Sequence, residues 1–362
     1  MAIQRTGRGV SRVLQQVFPL LLKTAIGPDT FILTTEEGAD LLGPVDGEIV
    51  LVQRQPKTTW EQIGLPWHSR INGADRLYTH SECGPLWGVK TLLHIPEDPY
   101  VRWSTAPITT PRERVRRHYQ RATMAASIRA ATRIAVSCTA IAEQLVHRFG
   151  PAGSDYIVVP LGVDTSLFYP DTHGQIDPGL FHLGSDEPRD QTLMLVHAYA
   201  SALAIEPQLP DLTIAGNLGA VANVVTEAAT ALDITGHIHL LGRVDDSHLR
   251  RLYSRATICI QPARYEGFGL QPLEALACGA PLLVYPDPAV QEVVGTAAAL
   301  IPGRTQSDLA CAIVDLWRDE PLRASCRTTG PARAATFTWT STAKLLAQLL
   351  QDIASDRPPF RA

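Results

Sequence analysis

The 362-residue sequence lacks the residue spacings of a metal-binding or disulfide-bonded protein. Its cysteines stand singly along the chain: Cys83, Cys138, Cys259, Cys278, Cys311 and Cys326. There is no CxxC pair or Cys/His cluster, and the N-terminal residues do not have the form of a signal peptide. We therefore expect free thiols in a reducing compartment, with no metal and no cofactor.

The sequence also lacks an excess of positive charge and a long apolar run. Its formal net charge of −4 argues against a nucleic-acid-binding protein, because such a surface must offset phosphate charge. The segment VLQQVFPLLLKTAI contains two glutamines, a proline and a lysine, and it is shorter than the ~20 apolar residues of a transmembrane helix. We expect this segment to form an amphipathic helix packed on a sheet, in a cytoplasmic protein.

The length favours two domains, and a composition of 45% hydrophobic and 19% charged residues is that of a soluble globular protein. Strand-like and helix-like segments alternate, which predicts α/β domains with parallel sheets. The predicted strands are TFILTT, GEIVLVQ, KTLLHI, RIAVS and YIVVPLG in the first half, and LFHLG, LTIAG, IHLLG, TICIQP and PLLVY in the second. The predicted helices include PRERVRRHYQRATMAASIRAAT and segments near 191–204, 221–232, 246–255, 270–277 and 339–353. A segment rich in Gly, Pro and Asp, GVDTSLFYPDTHGQIDPG, separates the halves as a linker.

Two acids flank a glycine turn in the stretch RYEGFGLQPLEALACGAP. We predict a helix over Leu270–Ala277, whose N-terminal N–H groups suit a phosphate, and Glu266 and Glu274 can both approach that end. Gly267 and Gly269 allow the backbone to come close to a ligand, and carboxylates accept hydrogen bonds from sugar hydroxyls. The stretch therefore predicts a ligand with phosphate and hydroxylated rings, such as a nucleotide-sugar. The plainer structural alternative is that Glu266 caps the helix and Glu274 reaches solvent.

This stretch resembles the Glu-x7-Glu motif of retaining GT-B glycosyltransferases, the large family called glycosyl transferases group 1. The likeness extends to ATRIAVSCTAIAEQLVHRFG…YIVVPLGVDTSLFYP, IHLLGRVDDSHLRRLYSRATICIQPARYEGFG, PAVQEVVGTAAALIPG and FTWTSTAKLLAQLL. It implies the α/β fold known as GT-B. In that fold two doubly wound Rossmann-like domains face each other across a cleft, and a C-terminal helix crosses back to the first domain.

The resemblance also implies the domain organisation and the reaction. An acceptor-side domain would span 1–172, a donor-binding domain 173–338, and the crossover helix with its tail 339–362. The implied enzyme moves a sugar, such as mannose or glucose, from a GDP- or UDP-linked donor to a glycan, lipid-linked or small-molecule acceptor in glycan biosynthesis. It would retain the anomeric configuration without a metal, because the leaving diphosphate helps to deprotonate the acceptor while the protein neutralises its growing charge.

The resemblance assigns roles to individual residues. Glu274 would hold the ribose hydroxyls, Glu266 the hydroxyls of the donor sugar, and Gly242–Val244 would meet the base. The implied catalytic residues are His94, Arg189 and Glu266, although taken alone His94 is equally well explained as a hydrogen-bonded histidine at a strand end. The implied donor-binding residues are Gly7, Gly9, Gly184, Arg189, Gly242, Val244, Glu266, Gly267, Phe268, Gly269, Leu270 and Glu274.

The sequence departs from the family pattern at two places. Asp190 stands where the family has a lysine and Ser185 where it often has an arginine, so Arg189 alone remains to bind the diphosphate. The chain begins almost at the loop that contains Gly7 and Gly9, so we expect the family's first strand to be missing. These departures motivate a second hypothesis, a catalytically weak or inactive subunit that acts as a binding partner. A nucleotide-sugar isomerase of related fold is a third hypothesis.

An arginine-rich segment lies in the first half. One acid, Glu113, accompanies seven arginines: Arg112, Arg114, Arg116, Arg117, Arg121, Arg129 and Arg133. A solvated helix face is the simplest explanation for this segment. Peripheral contact with an anionic membrane at its inner face, or with a lipid-phosphate acceptor, is the functional alternative.

Overall fold

The chain folds into two compact α/β units. The computed structural model describes residues 8–105, 110–151, 156–171 and 179–355. The first unit comprises Met1–Pro99, Pro107–Gly162 and Thr338–Ala362. The second unit comprises Tyr100–Ala106 and Val163–Phe337.

The strands are short, as is usual for parallel sheets in α/β proteins. Those of the described residues are β1 (Phe31–Thr34), β2 (Glu48–Leu51), β3 (Arg76–His80), β4 (Lys90–Ile95), β5 (Arg133–Val136), β6 (Tyr156–Val158), β7 (Leu180–Leu183), β8 (Leu212–Ala215), β9 (Ile238–Gly242), β10 (Ile258–Gln261), β11 (Leu282–Val284) and β12 (Ala299–Leu300).

Helices connect most of these strands. Over the same residues they are α1 (Arg8–Leu22), α2 (Glu36–Leu42), α3 (Lys57–Thr59), α4 (Leu65–Ile71), α5 (Pro99–Thr105), α6 (Pro111–Ala130), α7 (Thr139–Phe149), α8 (Thr192–Ile205), α9 (Val221–Ala231), α10 (Asp246–Arg255), α11 (Leu270–Ala277), α12 (Pro288–Val294), α13 (Gln306–Arg318), α14 (Glu320–Ala334) and α15 (Trp339–Ser355). A π-helical segment, Trp60–Gly64, joins α3 to α4.

All strand pairs in both units are parallel. The first unit holds the pair β1-β2 and a four-stranded sheet of order β3-β4-β5-β6. The second unit holds one six-stranded sheet of order β12-β11-β10-β7-β8-β9. Every residue of β7 and β10 is buried, as expected for central strands covered on both faces. The predicted architecture, two α/β units built on parallel sheets, is confirmed.

The strands and helices that alternating patterns predicted are present within a few residues of their predicted ends. The sequence reading missed β3, whose residues RLYTH include a buried threonine and a buried histidine and so lack an apolar signature. It also missed the segment from α12 to α14. The predicted N-terminal amphipathic helix is present as α1; its Phe18 ring contacts that of Tyr78 on the sheet strand β3 at 6.2 Å between centroids, and the helix packs mainly against α15. Gly9 lies in the first turn of α1, so its placement in a loop was wrong.

No helix among the residues described is long and apolar enough to cross a membrane.

The last helix, α15, packs within the first unit, so its predicted return to that unit is confirmed. Arg76 Nη1 donates to the carbonyl of Leu350 at 3.1 Å, and Lys90 Nζ donates to that of Ile353 at 3.0 Å. At the other end of the helix, the hydroxyl of Thr342 donates to the carbonyl of Pro160 at 2.7 Å. The lysine bond satisfies the carbonyl of Ile353 in the last turn of α15, where carbonyls lack a partner within the helix, and the three bonds together hold the helix in the first unit.

Two adjacent leucines of α15 test how much this packing stabilises the first unit. Leu346 is fully buried, whereas Leu345 is 45% exposed. We expect Leu346→Ala to lower the free energy of unfolding by about 2–5 kcal/mol, because it leaves a cavity in the core. Leu345→Ala should change it by less than about 0.5 kcal/mol. Urea unfolding followed by circular dichroism measures both, and equal losses would contradict the packing of α15.

Candidate functional site

The strand order of the second unit defines a switch point at the carboxyl edge of its sheet. From β7 the chain moves outward to β8 and β9, then returns to the other side of β7 to form β10 and β11. The connection after β7 therefore runs towards β8 and the connection after β10 runs towards β11, in opposite directions, so the loops after these two neighbouring strands diverge around a crevice. In open α/β sheets this crevice is where ligands bind.

Predicted site residues follow both of these strands and come together there. Arg189 lies after β7 and Glu266 after β10, and Arg189 Nη1 is 4.0 Å from Glu266 Oε2. The backbone N–H of Arg264 donates to the carbonyl of Arg189 at 3.0 Å, and Arg264 Nε donates to Gln191 Oε1 at 3.1 Å. The two loops are thus bonded to each other beside the Arg189–Glu266 pair.

A second carboxylate lies beside Arg189. Asp190 Oδ1 is 3.8 Å from Arg189 Nε, and Asp190 Oδ2 accepts a hydrogen bond from Ser185 Oγ at 2.5 Å. The side chain of Asp190 is 9% exposed. Ser185 and Asp190, which the resemblance places where the family has cations, are therefore bonded to each other, and Arg189 lies between the carboxylates of Asp190 and Glu266.

The turn before α11 requires glycine. Gly269 has φ +97° and ψ +51°, and its carbonyl accepts the backbone N–H of Leu273 at 3.0 Å. The left-handed conformation is costly for residues with a Cβ. Phe268 packs edge-on against Phe337 with ring centroids 5.8 Å apart, so its side chain belongs to the core and only its backbone can face a ligand.

Glu274 is a buried carboxylate on α11. It is 4% exposed, and its neighbours from Pro272 to Ala277 are also buried. The alternative of a solvated Glu274 is therefore wrong. Burial of the Cys278 thiol and the nearby charge of Glu274 both raise the pKa of that thiol, which lies at about 12. A charged group kept at such a position needs polar partners, because desolvation of a carboxylate is costly.

Asp287 fixes the Glu266 loop to α12, and the sequence reading missed it. Its carboxylate caps α12 by accepting the N–H groups of Ala289 at 3.0 Å and Val290 at 3.4 Å. It also accepts the backbone N–H of Glu266. Burial raises its pKa although these hydrogen bonds act in the opposite direction. The sequence signal was an Asp directly before a proline at the first helical position.

Three glycines follow one another along the carboxyl edge on the other side of β7. Gly184 follows β7, Gly216 follows β8, and Gly242 ends β9. The N–H of Gly184 donates to the carbonyl of Ala215 at 2.9 Å, and the N–H of Gly216 donates to that of Gly242 at 2.7 Å. A Cβ on Gly216 would collide with the Gly184 carbonyl. The sequence reading missed Gly216, although LFHLG, LTIAG and IHLLG all end in glycine.

His94 lies in the first unit, on β4, and is fully buried. Its Nδ1 is 3.1 Å from Tyr78 Oη, its Nε2 is 3.4 Å from Ser137 Oγ, and its ring contacts that of His80 at 4.5 Å between centroids. Burial, and then the neighbouring His80, lower the pKa of His94 well below its usual value. His94 is therefore a neutral imidazole at physiological pH, and its catalytic role stays a prediction.

The remaining predicted residues have simpler surroundings. Gly7 lies outside the described residues. Gly9 is exposed at the start of α1, Val244 is half-buried between β9 and α10, and Leu270 is half-buried at the start of α11. Within the parts of the chain that the structure describes, no group of three or more His, Cys, Asp or Glu side chains could hold a metal ion.

Comparison with known proteins identifies the second unit. Residues 178–333 match the family model described as glycosyl transferases group 1. The chain is 31% identical over 159 residues to O-antigen chain mannosyltransferase B of Escherichia coli, covering 44% of this chain and 42% of that protein. It is 30% identical over 231 residues to D-inositol 3-phosphate glycosyltransferase of Geodermatophilus obscurus, covering 59% of this chain and 50% of that protein. The matched part thus spans about half of these relatives' length or less.

The fold matches over nearly the whole chain. The crystal structure of Anabaena Alr3699/HepE in complex with UDP and glucose superimposes with a TM-score of 0.72 at 15% identity, covering 97% of this chain and 98% of that one. At this identity the likeness shows the fold alone. The fold is GT-B, as the sequence resemblance implied.

The buried histidines predict an acid-sensitive first unit. Burial lowers the pKa of His80 to about 4, although Glu82 opposes the shift. In the unfolded chain His80 therefore becomes protonated near pH 6.5, whereas in the folded chain it stays neutral until about pH 4. The free energy of unfolding consequently falls as the pH drops below about 6.5. His80 alone should account for about 2 kcal/mol between pH 7 and pH 5.

Urea unfolding at several pH values measures this loss. His80→Phe, whose side chain cannot be protonated, should make the free energy of unfolding less dependent on pH. His147→Gln, at an exposed position on α7, should leave the profile unchanged. Parallel profiles for wild type and His80→Phe would contradict the assignment.

Proposed function

We propose, from the membership of residues 178–333 in the glycosyl transferases group 1 family, that the chain transfers a sugar from a nucleotide-sugar to an acceptor. The observation that carries the proposal is the meeting of Arg189 and Glu266 at the switch point of the second unit, next to the α11 turn. A cation, two carboxylates and a glycine turn match a ligand that combines a diphosphate with two hydroxylated rings. The structure holding UDP and glucose has the same fold, which supports this donor class.

Each site residue has a role that its surroundings support. Glu274, buried on α11, binds the ribose hydroxyls, since a carboxylate at a fixed position can accept two hydrogen bonds. Glu266 binds hydroxyls of the donor sugar, held in place through its backbone by Asp287. Arg189 and the N-terminus of α11 stabilise the diphosphate. The backbone edge at Gly242, with its neighbours Gly184 and Gly216, leaves room for the base.

We further propose that the reaction retains the anomeric configuration and needs no metal. Charge on the departing diphosphate is then balanced by Arg189 and helix N–H groups, and the acceptor proton passes to the diphosphate on the same face of the sugar. His94, held neutral between Tyr78 and Ser137, acts as a hydrogen-bonding group and not as a proton donor. In this proposal the first unit binds the acceptor, which is a glycan, a lipid-linked molecule or a small molecule.

The Asp190–Ser185 pair supports a second candidate function. Two carboxylates near Arg189 reduce the net positive charge available to a diphosphate. A chain with this substitution could bind a donor weakly and serve as a partner subunit of an active enzyme. Sugar transfer, or hydrolysis of a nucleotide-sugar, by the purified chain alone would rule this function out. An epimerised nucleotide-sugar formed from donor alone would indicate an isomerase instead.

The two glutamates should separate nucleotide binding from sugar binding. We expect Glu274→Gln to weaken UDP or GDP binding by about 10- to 100-fold, because a charged hydrogen-bond acceptor is lost. Glu266→Gln should leave binding of the free nucleotide unchanged and weaken binding of the nucleotide-sugar. The exposed Glu227→Gln on α9 is the control. Isothermal titration calorimetry measures all three variants, and a wild type that binds neither nucleotide would refute the donor site.

Removing the charge of Asp190 should strengthen nucleotide binding. In Asp190→Asn the side-chain oxygen can still accept the Ser185 hydroxyl, but the negative charge 3.8 Å from Arg189 is lost. We expect affinity for UDP or GDP to rise by about tenfold. Asp186→Asn, an exposed neighbour on the same loop, should have little effect. Unchanged or weaker binding by Asp190→Asn would show that Asp190 does not limit the charge of Arg189.

A further inference from the structure

The first unit carries an exposed apolar patch far along the chain from the donor-site residues. Its five large side chains are between 41% and 60% exposed: Ile63, Trp67, Ile71, Leu86 and Trp87. They lie on the π-helical segment, on α4 and on the loop after β3. Trp67, Ile71 and Trp87, together with Arg70, line a groove of about 380 Å³. Clusters of this kind on a protein surface mark interaction sites, whereas scattered apolar residues do not.

Hydrogen bonds to one residue, Gln62, hold the loop that carries Leu86 and Trp87 in place. Its backbone carbonyl accepts the indole N–H of Trp87 at 2.7 Å, and its side-chain oxygen accepts the N–H of Leu86 at 3.3 Å. Its side-chain nitrogen donates to the carbonyl of Gly84 and to Tyr119 Oη, both at 2.9 Å. The ring of Trp87 is therefore exposed while its indole N–H is already hydrogen-bonded, and its loop is fixed to the π-helical segment that contains Gln62.

Positive charge adjoins this patch. The side chain of Arg70, in the groove, makes no ion pair or hydrogen bond with any residue that the structure describes. Tyr119, which bonds to Gln62, belongs to α6, so this helix lies beside the patch. Helix α6 carries six arginines and one acid, Glu113, which is bonded to Arg116 and Arg117. The whole chain has a net charge of −4, so this positive charge is a local excess.

These features together favour a lipid surface over other occupants. Tryptophan rings suit the boundary between lipid headgroups and acyl chains, and exposed Ile and Leu side chains gain free energy by entering the apolar layer. Arginines beside them attract anionic headgroups. A glycan would use the tryptophans but not the isoleucines, and a second copy of the chain would bring two arginine-rich helices together. We propose that the apolar patch docks the first unit on an anionic lipid bilayer, with Arg70 and α6 contacting the headgroups.

Docking does not depend on sugar transfer, so it can be tested without an activity assay. The full chain is sedimented with vesicles of phosphatidylcholine alone or with 30% phosphatidylglycerol. We expect binding to the anionic vesicles only, weakened at least tenfold in Trp67→Ser/Trp87→Ser and about fivefold in Arg70→Gln. Leu322→Ser, which changes a 38% exposed leucine of the second unit, is the matched control and should bind like wild type.

Contact at the patch itself is tested by quenching of tryptophan fluorescence with brominated lipids. We expect quenching in wild type and its loss in Trp67→Phe/Trp87→Phe. Absence of binding to anionic vesicles, equal binding to neutral vesicles, or unchanged binding by the serine double variant would overturn the proposal. So would a dimer that light scattering detects in wild type and not in that variant, because a second copy would then cover the patch. UDP titration of the same samples reports separately on the donor site.

Discussion

The candidate site depends on one constraint of parallel sheets. Successive parallel strands must be joined by crossovers, so the carboxyl ends of all six strands in the second unit lie at one edge. Loops after β7 and β10 become neighbours there only because the chain, after forming β8 and β9 on one side of β7, crosses back to form β10 on the other side. Arg189 and Glu266 are 77 residues apart in sequence, and this crossing brings their side chains to 4.0 Å. For the same reason the glycines at the carboxyl ends of β7, β8 and β9 lie next to one another along this edge.

Charge balance at this edge sets what the site can bind. Glu266 and Glu274 offer acceptors for hydroxyl groups, but each negative charge also opposes a diphosphate. A single guanidinium, Arg189, lies between Glu266 and Asp190, and Asp190 is engaged by Ser185. Backbone N–H groups at the start of α11 must therefore supply much of the remaining positive potential. Under the proposed function, a site built in this way would bind the hydroxylated ends of a donor more readily than its diphosphate, which is the physical basis of the weak-subunit alternative.

The first unit combines two contrasting environments. Inside, His80 and His94 are buried beside each other and remain neutral, because burial disfavours the charged form of each ring. Outside, a hydrogen bond to Gln62 holds Trp87 in an exposed position, and Arg70, whose side chain has no ion pair among the described residues, lies in the same groove. If the acceptor is lipid-linked, a docked first unit would take it up at the bilayer surface, and the docking and acceptor-binding roles of this unit would be joined.

Sequence by itself determined the α/β class, most strand and helix positions, and the Glu266–Glu274 motif, because these follow from local periodicity and short spacings. It did not reveal β3, whose buried Thr79 and His80 carry no apolar signal, nor Asp287, whose bond to Glu266 joins two loops. From the sequence, Asp190 could be recognised only as a substitution that is unfavourable for binding a diphosphate. The hydrogen bond between Asp190 and Ser185 depends on the turn between these two residues, which the sequence pattern does not reveal. Tertiary structure alone decided which charges meet and which apolar side chains stay exposed. Both depend on distances between segments remote in sequence, and local patterns do not encode those distances.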